Sequence, residues 1–124
     1  MLGASKIIAF VPTKNSRRSR AFYEGALGLR FVSDDAFALV LDANGIMVRI
    51  TKVSEMTPAP FTVLGWEVPR IEEVVSRLVE KGVKLEKYGI TGQDERGIWS
   101  APSGARVAWF KDPDGNVLSL TQFR

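Results

Sequence analysis

Residues 105–122, ARVAWFKDPDGNVLSLTQ, carry the clearest local pattern in this chain. Two runs rich in β-branched and aromatic residues, Ala105 to Lys111 and Val117 to Gln122, flank Asp112-Pro113-Asp114-Gly115-Asn116. Proline fixes φ, while Asp, Asn and Gly satisfy or tolerate the conformations a tight reversal needs, so the reading is strand–turn–strand. Side chains alternate across a strand. Val107 and Trp109 therefore share one face with Val117, Ser119 and Thr121, and Phe110, Leu118 and Leu120 point to the other.

Working outward, Pro102-Ser103-Gly104 is a turn and Ile98 to Ala101 a short strand. Residues 89–97, GITGQDERG, form a polar glycine-rich loop, and Val83 to Lys87 reads as another short strand. Before it, Ile71, Val74, Val75 and Leu78 follow the i, i+3, i+4, i+7 pattern of an amphipathic helix beginning at Pro69. Glu72 and Glu73 suit its N-terminus, Lys81 suits its C-terminus, and Gly82 ends it. Phe61 to Val68 is the strand that enters the helix. The front half repeats this plan. Lys6 to Val11 is a strand closed by Pro12, and Asn15 or Ser16 caps a helix with Phe22 and Ala26 on one face. Leu29 to Asp34, Phe37 to Asp42 and Ile46 to Thr51 are strands, the last two joined by Asn44-Gly45, a strong hairpin signal. The expectation is a single α+β domain, 1–124, built from two βαβββ modules at about 5–51 and 61–122, with a linker at 52–60.

Composition narrows the chemistry. The chain has 124 residues, of which 45% are hydrophobic and 25% charged, which suits one soluble domain. No apolar run approaches the ~18–20 residues that span a bilayer, and the front of the chain lacks the form of an export signal, so a cytoplasmic protein is expected, with no membrane partner. There is no cysteine and no histidine. Disulfides, thiolate nucleophiles, imidazole bases and the usual transition-metal ligands are therefore excluded. The net charge is +3, with Lys6, Lys14, Arg17, Arg18, Arg20 and Arg30 concentrated at the front. No nucleic-acid-binding motif accompanies them, so a solvated helix face is expected and nucleic acid is not.

Ser19-Arg20-Ala21-Phe22-Tyr23-Glu24 leading to Leu27-Gly28-Leu29, and Ala108 through Asn116, resemble the two signatures of the vicinal oxygen chelate superfamily. This is the glyoxalase, bleomycin-resistance and ring-cleaving dioxygenase group. The resemblance implies an open curved barrel of two βαβββ modules around a cavity, usually in a homodimer. In metal-dependent members the ion is held by His, Glu or Gln at four strand positions. Those positions fall here on Ile8, Arg49, Val63 and Ser119, none of which is such a ligand. No metal or other cofactor is expected, and the metal-dependent activities of the group are not carried over.

Strand parity then assembles a ligand cavity from Ile8, Phe10, Met47, Arg49, Val63, Glu67, Val107, Trp109, Ser119 and Thr121. The function expected is metal-independent binding of a small organic anion with an apolar or aromatic body. Arg49 would meet the acid and Trp109 would stack on the flat part. Two alternatives stand beside it. One is a metal-free lyase or isomerase that uses Glu67 or a tyrosine (Tyr23 or Tyr88) as base with Arg49 on the developing oxyanion. The other is a regulatory or interaction module with a vestigial cavity. Trp99 is read as a packing or subunit-contact residue.

Overall fold

The computed structural model describes residues 1–124 and divides into two compact units, Met1–Thr57 and Pro58–Arg124. The boundary falls inside the segment read as a linker. The first unit runs β1 (Ile8–Thr13), α1 (Ser16–Arg20), a π-helical turn (Ala21–Ala26), β2 (Arg30–Asp34), β3 (Ala38–Ala43) and β4 (Ile46–Lys52). Its sheet order is β1-β4-β3-β2, with β1 parallel to β4 and the other pairs antiparallel. Asn15 caps α1 through its side-chain oxygen, which accepts from the Arg18 N–H at 3.1 Å. At the β3–β4 hairpin Asn44 and Gly45 both take positive φ, 51° and 86°, as a type I′ turn requires. Val11, Leu39, Leu41, Val48 and Ile50 are buried, as is Tyr23 after α1. The hydroxyls of Thr13 and Ser19 meet 2.6 Å apart and join β1 to the helix.

Pro12 does not close the first strand; it lies within β1. The strand is at the sheet edge and has β4 as its one neighbour, so a residue without an N–H is tolerated there.

The second unit runs β5 (Thr62–Glu67), α2 (Ile71–Glu80), β6 (Trp99–Ser100), β7 (Arg106–Lys111) and β8 (Val117–Gln122), in the sheet order β5-β8-β7-β6. Here β5 and β8 are parallel. The helix buries Ile71, Val75 and Leu78 and packs against β7 and β8. It starts at Ile71 rather than Pro69, and the Gln122 side-chain oxygen accepts the otherwise orphaned Ile71 N–H at 2.9 Å. In the closing turn the buried Asp112 carboxylate accepts from the N–H groups of Asp114 and Asn116, and from the Asn116 amide at 2.8 Å.

Two expectations change in this unit. The strand read at 83–87 shrinks to one bridge, Leu85 to Phe110, with the Glu86 N–H donating to the Trp109 carbonyl. The reason is Gln93. Its amide takes the carbonyls of Glu86 and Gly97 and accepts the Tyr88 N–H, which removes the groups a longer ladder would use. Second, β5 carries a bulge between Thr62 and Leu64. Val63 is the extra residue, so strict alternation fails at that position.

The architecture is α+β, two βαβββ modules each with a four-stranded mixed sheet, and no ladder joins one sheet to the other. No helix is long and apolar enough to cross a membrane.

Candidate functional site

Each sheet has one face on its helix and one face turned away from it. In the first unit the outward face follows from register: Ile8 pairs with Met47, and Phe10 with Arg49, which in turn pairs with Val40. Four of the expected site residues are thus neighbours. Phe10 is 61% exposed, Ile8 45% and Met47 40%, so large apolar side chains remain uncovered. Arg49 is half-buried among them and makes no ion pair or hydrogen bond within the chain. Its charge is still felt at Asp35. That carboxyl is held below its ordinary value first by the N–H groups of Phe37 and Ala38, and further by the charges of Arg49 and Lys52. A cavity of about 360 Å³ lies at one end of this face, between Ile8, Val32 and Met47, with Lys6 and Arg30 at its edge.

In the second unit Ser119 sits between Gly65 and Trp109, and Thr121 between Glu67 and Val107. These six expected or neighbouring positions share the outward face, while Ala108, Phe110, Leu118 and Leu120 are buried on the helix side. Trp109 does not stand alone. The Trp99 ring lies 6.0 Å from it and the Tyr88 ring 5.5 Å, the latter edge-on at 69°. Trp99 is anchored by its indole N–H, which donates to the Thr91 carbonyl at 3.1 Å. Trp99 pairs with Val107, so its side chain takes the same parity as Trp109. That signal is legible once Ile98 to Ala101 is taken as a strand. Tyr88 reaches the group from a loop, for which periodicity gives no direction.

The catalytic alternatives gain little from this geometry. Glu67 is exposed and makes no ion pair within the chain. Burial, with a smaller contribution from Glu86, pushes the Tyr88 phenol above its ordinary value, which keeps it a proton donor at neutral pH. Tyr23 is fully buried. The four positions that hold metal in the resembled group offer two aliphatic side chains, a guanidinium and one hydroxyl. No cluster of three or more carboxylate, imidazole or thiol groups occurs elsewhere. This donor set does not fit a divalent ion. A cavity of about 740 Å³ lies on the helix side of the second unit, against Val75, Val79, Val83 and Leu85. The charges at its edge are partly committed, Arg96 to Glu72 and Asp94, and Glu86 to Lys111.

Comparison with known proteins places this geometry. No curated protein matches the chain. Among solved structures, a Glyoxalase/bleomycin resistance protein/dioxygenase superfamily member from Sphaerobacter thermophilus DSM 20745 is 22% identical. Its TM-score is 0.77, over 98% of this chain and 99% of that one. TnmS3, an antibiotic binding protein from Streptomyces sp. CB03234, is 23% identical with a TM-score of 0.71, over 96% and 97%. A lactoylglutathione lyase from Agrobacterium tumefaciens is 15% identical with a TM-score of 0.73, over 95% and 93%. At these identities the likenesses establish the fold alone. The sequence itself goes further, because residues 7–120 match one family along nearly their whole length. The chain belongs to the Glyoxalase/Bleomycin resistance protein/Dioxygenase superfamily.

Proposed function

We propose that this protein binds a small organic molecule with a flat aromatic body, without a metal ion, and that acids are favoured over neutral compounds. The observation that carries the reading is the group of three rings, Tyr88, Trp99 and Trp109, on the outward face of the second sheet. Three aromatic side chains clustered at a surface present a large apolar area with polar tips, which suits a planar ligand. The antibiotic-binding relative supports a binding role on this fold. The preference for acids rests on the net charge of +3. The donor chemistry at the family's metal positions supports metal independence.

Indole fluorescence during titration with a panel of aromatic acids, 2-naphthoate among them, tests the reading. Saturable quenching is expected, and by calorimetry Trp109→Leu should weaken binding at least tenfold. Binding should be tighter for 2-naphthoate than for neutral 2-naphthamide, and the difference should shrink as salt is raised. A flat response across the panel, or a Trp109→Leu variant that binds as well as the parent, overturns the proposal. One equivalent of zinc, nickel, manganese or iron in the dialysed protein would overturn metal independence.

A further inference from the structure

Ser119 combines three features that do not belong together in a purely structural residue. It is 8% exposed. Its hydroxyl has no hydrogen-bond partner within the chain. No buried side-chain polar atom of the protein is left unsatisfied, so this oxygen must touch the exterior. Its neighbour on β5 is Gly65, which is exposed and carries no side chain to cover it. A Cβ placed on Gly65 would lie 2.9 Å from the Ser119 Oγ, closer than such atoms approach in real proteins. The backbone of Gly65 is not in the left-handed region, so an alanine there meets no conformational strain but forces the serine hydroxyl to shift. Ser119 is also the cross-strand partner of Trp109. Partners on one face hold their Cβ atoms about 4.5–5.5 Å apart, which sets the hydroxyl at the foot of the indole.

We propose that the Ser119 hydroxyl, reached through the gap left by Gly65, is the hydrogen-bonding point of the aromatic site and selects ligands whose carboxylate or carbonyl carbon is bonded directly to the ring system. The inference rests on the binding reading above and adds the ligand's chemical class: arenecarboxylates and aryl ketones. A ring lying on Trp109 brings the oxygen of a carboxylate or carbonyl carried directly on the ring to the serine, with only one conjugated bond to hold. An oxygen at the end of a flexible chain must fold back to reach it and loses entropy in doing so. Gly65 is then a specificity-determining residue, because any side chain there displaces the hydroxyl and fills the gap.

Two probes of equal charge test this, 2-naphthoate and 4-(2-naphthyl)butanoate, with dissociation constants measured by calorimetry. The parent protein should bind 2-naphthoate about tenfold more tightly. Ser119→Ala should remove that advantage by weakening 2-naphthoate binding. Gly65→Ala should reproduce the loss in the parent but add nothing in the Ser119→Ala background, because the two changes act on one oxygen. Thermal midpoints of all variants check that the fold is kept. Equal affinity for the two acids in the parent overturns the inference. So does an unchanged ratio in Ser119→Ala, or an equal effect of Gly65→Ala in both backgrounds. If neither naphthyl acid binds the parent at all, the binding reading falls and takes this inference with it, so the two failures are distinguishable.

Discussion

Asp35 shows how a single exposed carboxylate can set a strand. Its oxygen accepts the N–H groups of Phe37 at 2.7 Å and Ala38 at 3.0 Å, and so fixes the start of β3. Those bonds, and the charges of Arg49 and Lys52 behind them, hold its pKa below the ordinary 3.8. A carboxyl whose folded value is depressed adds stability above its unfolded value and loses it as pH falls through the folded one. Thermal midpoints recorded from pH 6 to pH 2 should therefore fall less steeply for Asp35→Asn than for the parent; parallel curves would refute this. The same scale shows what sequence can give about a site. Trp109, Ser119 and Thr121 were legible because the turn at Asp112–Asn116 sets the register of both strands. Tyr88 was not, because a loop residue has no parity. The bulge at Val63 was not legible either, because nothing in Phe61 to Glu67 announces it.

At the scale of elements, the β3–β4 hairpin and α2 were legible nearly to the residue. Asn44-Gly45 leaves one turn type open to it, and the helix carries its own apolar stripe and stop signal. Since Gly45 holds φ at 86°, Gly45→Ala should cost about 1–3 kcal/mol in urea unfolding, the range for forcing a non-glycine residue into that region. A smaller loss would mean that the turn rearranges. The segment at 83–87 was not legible in the same way. Its residues have strand character, but its hydrogen-bonding groups are taken by the Gln93 amide, a partner distant enough in sequence that no local pattern reveals it. The π-helical turn at Ala21–Ala26 also lacks a sequence signature; the chain there still meets the expected stop at Gly28, where φ is 79°.

For the molecule as a whole, the outward face of the first sheet decides the expected assembly. Phe10, Ile8 and Met47 leave more apolar surface uncovered than isolated side chains need. A two-fold homodimer that covers such surface is the proposed state, and light scattering at tens of micromolar should give twice the 13.7 kDa chain mass. A single-chain mass at that concentration would count against it. The strand order carries a different consequence. In both modules the last strand made is an interior one: β4 lies between β1 and β3, and β8 between β5 and β7. A nascent chain leaving the ribosome therefore holds each module's earlier strands without their common neighbour until that strand emerges. The first module can close once Lys52 is out, while the second remains open until Val117–Gln122 arrives. Its three rings stay mounted on an incomplete scaffold for that interval, with apolar surface open that only the last strand covers.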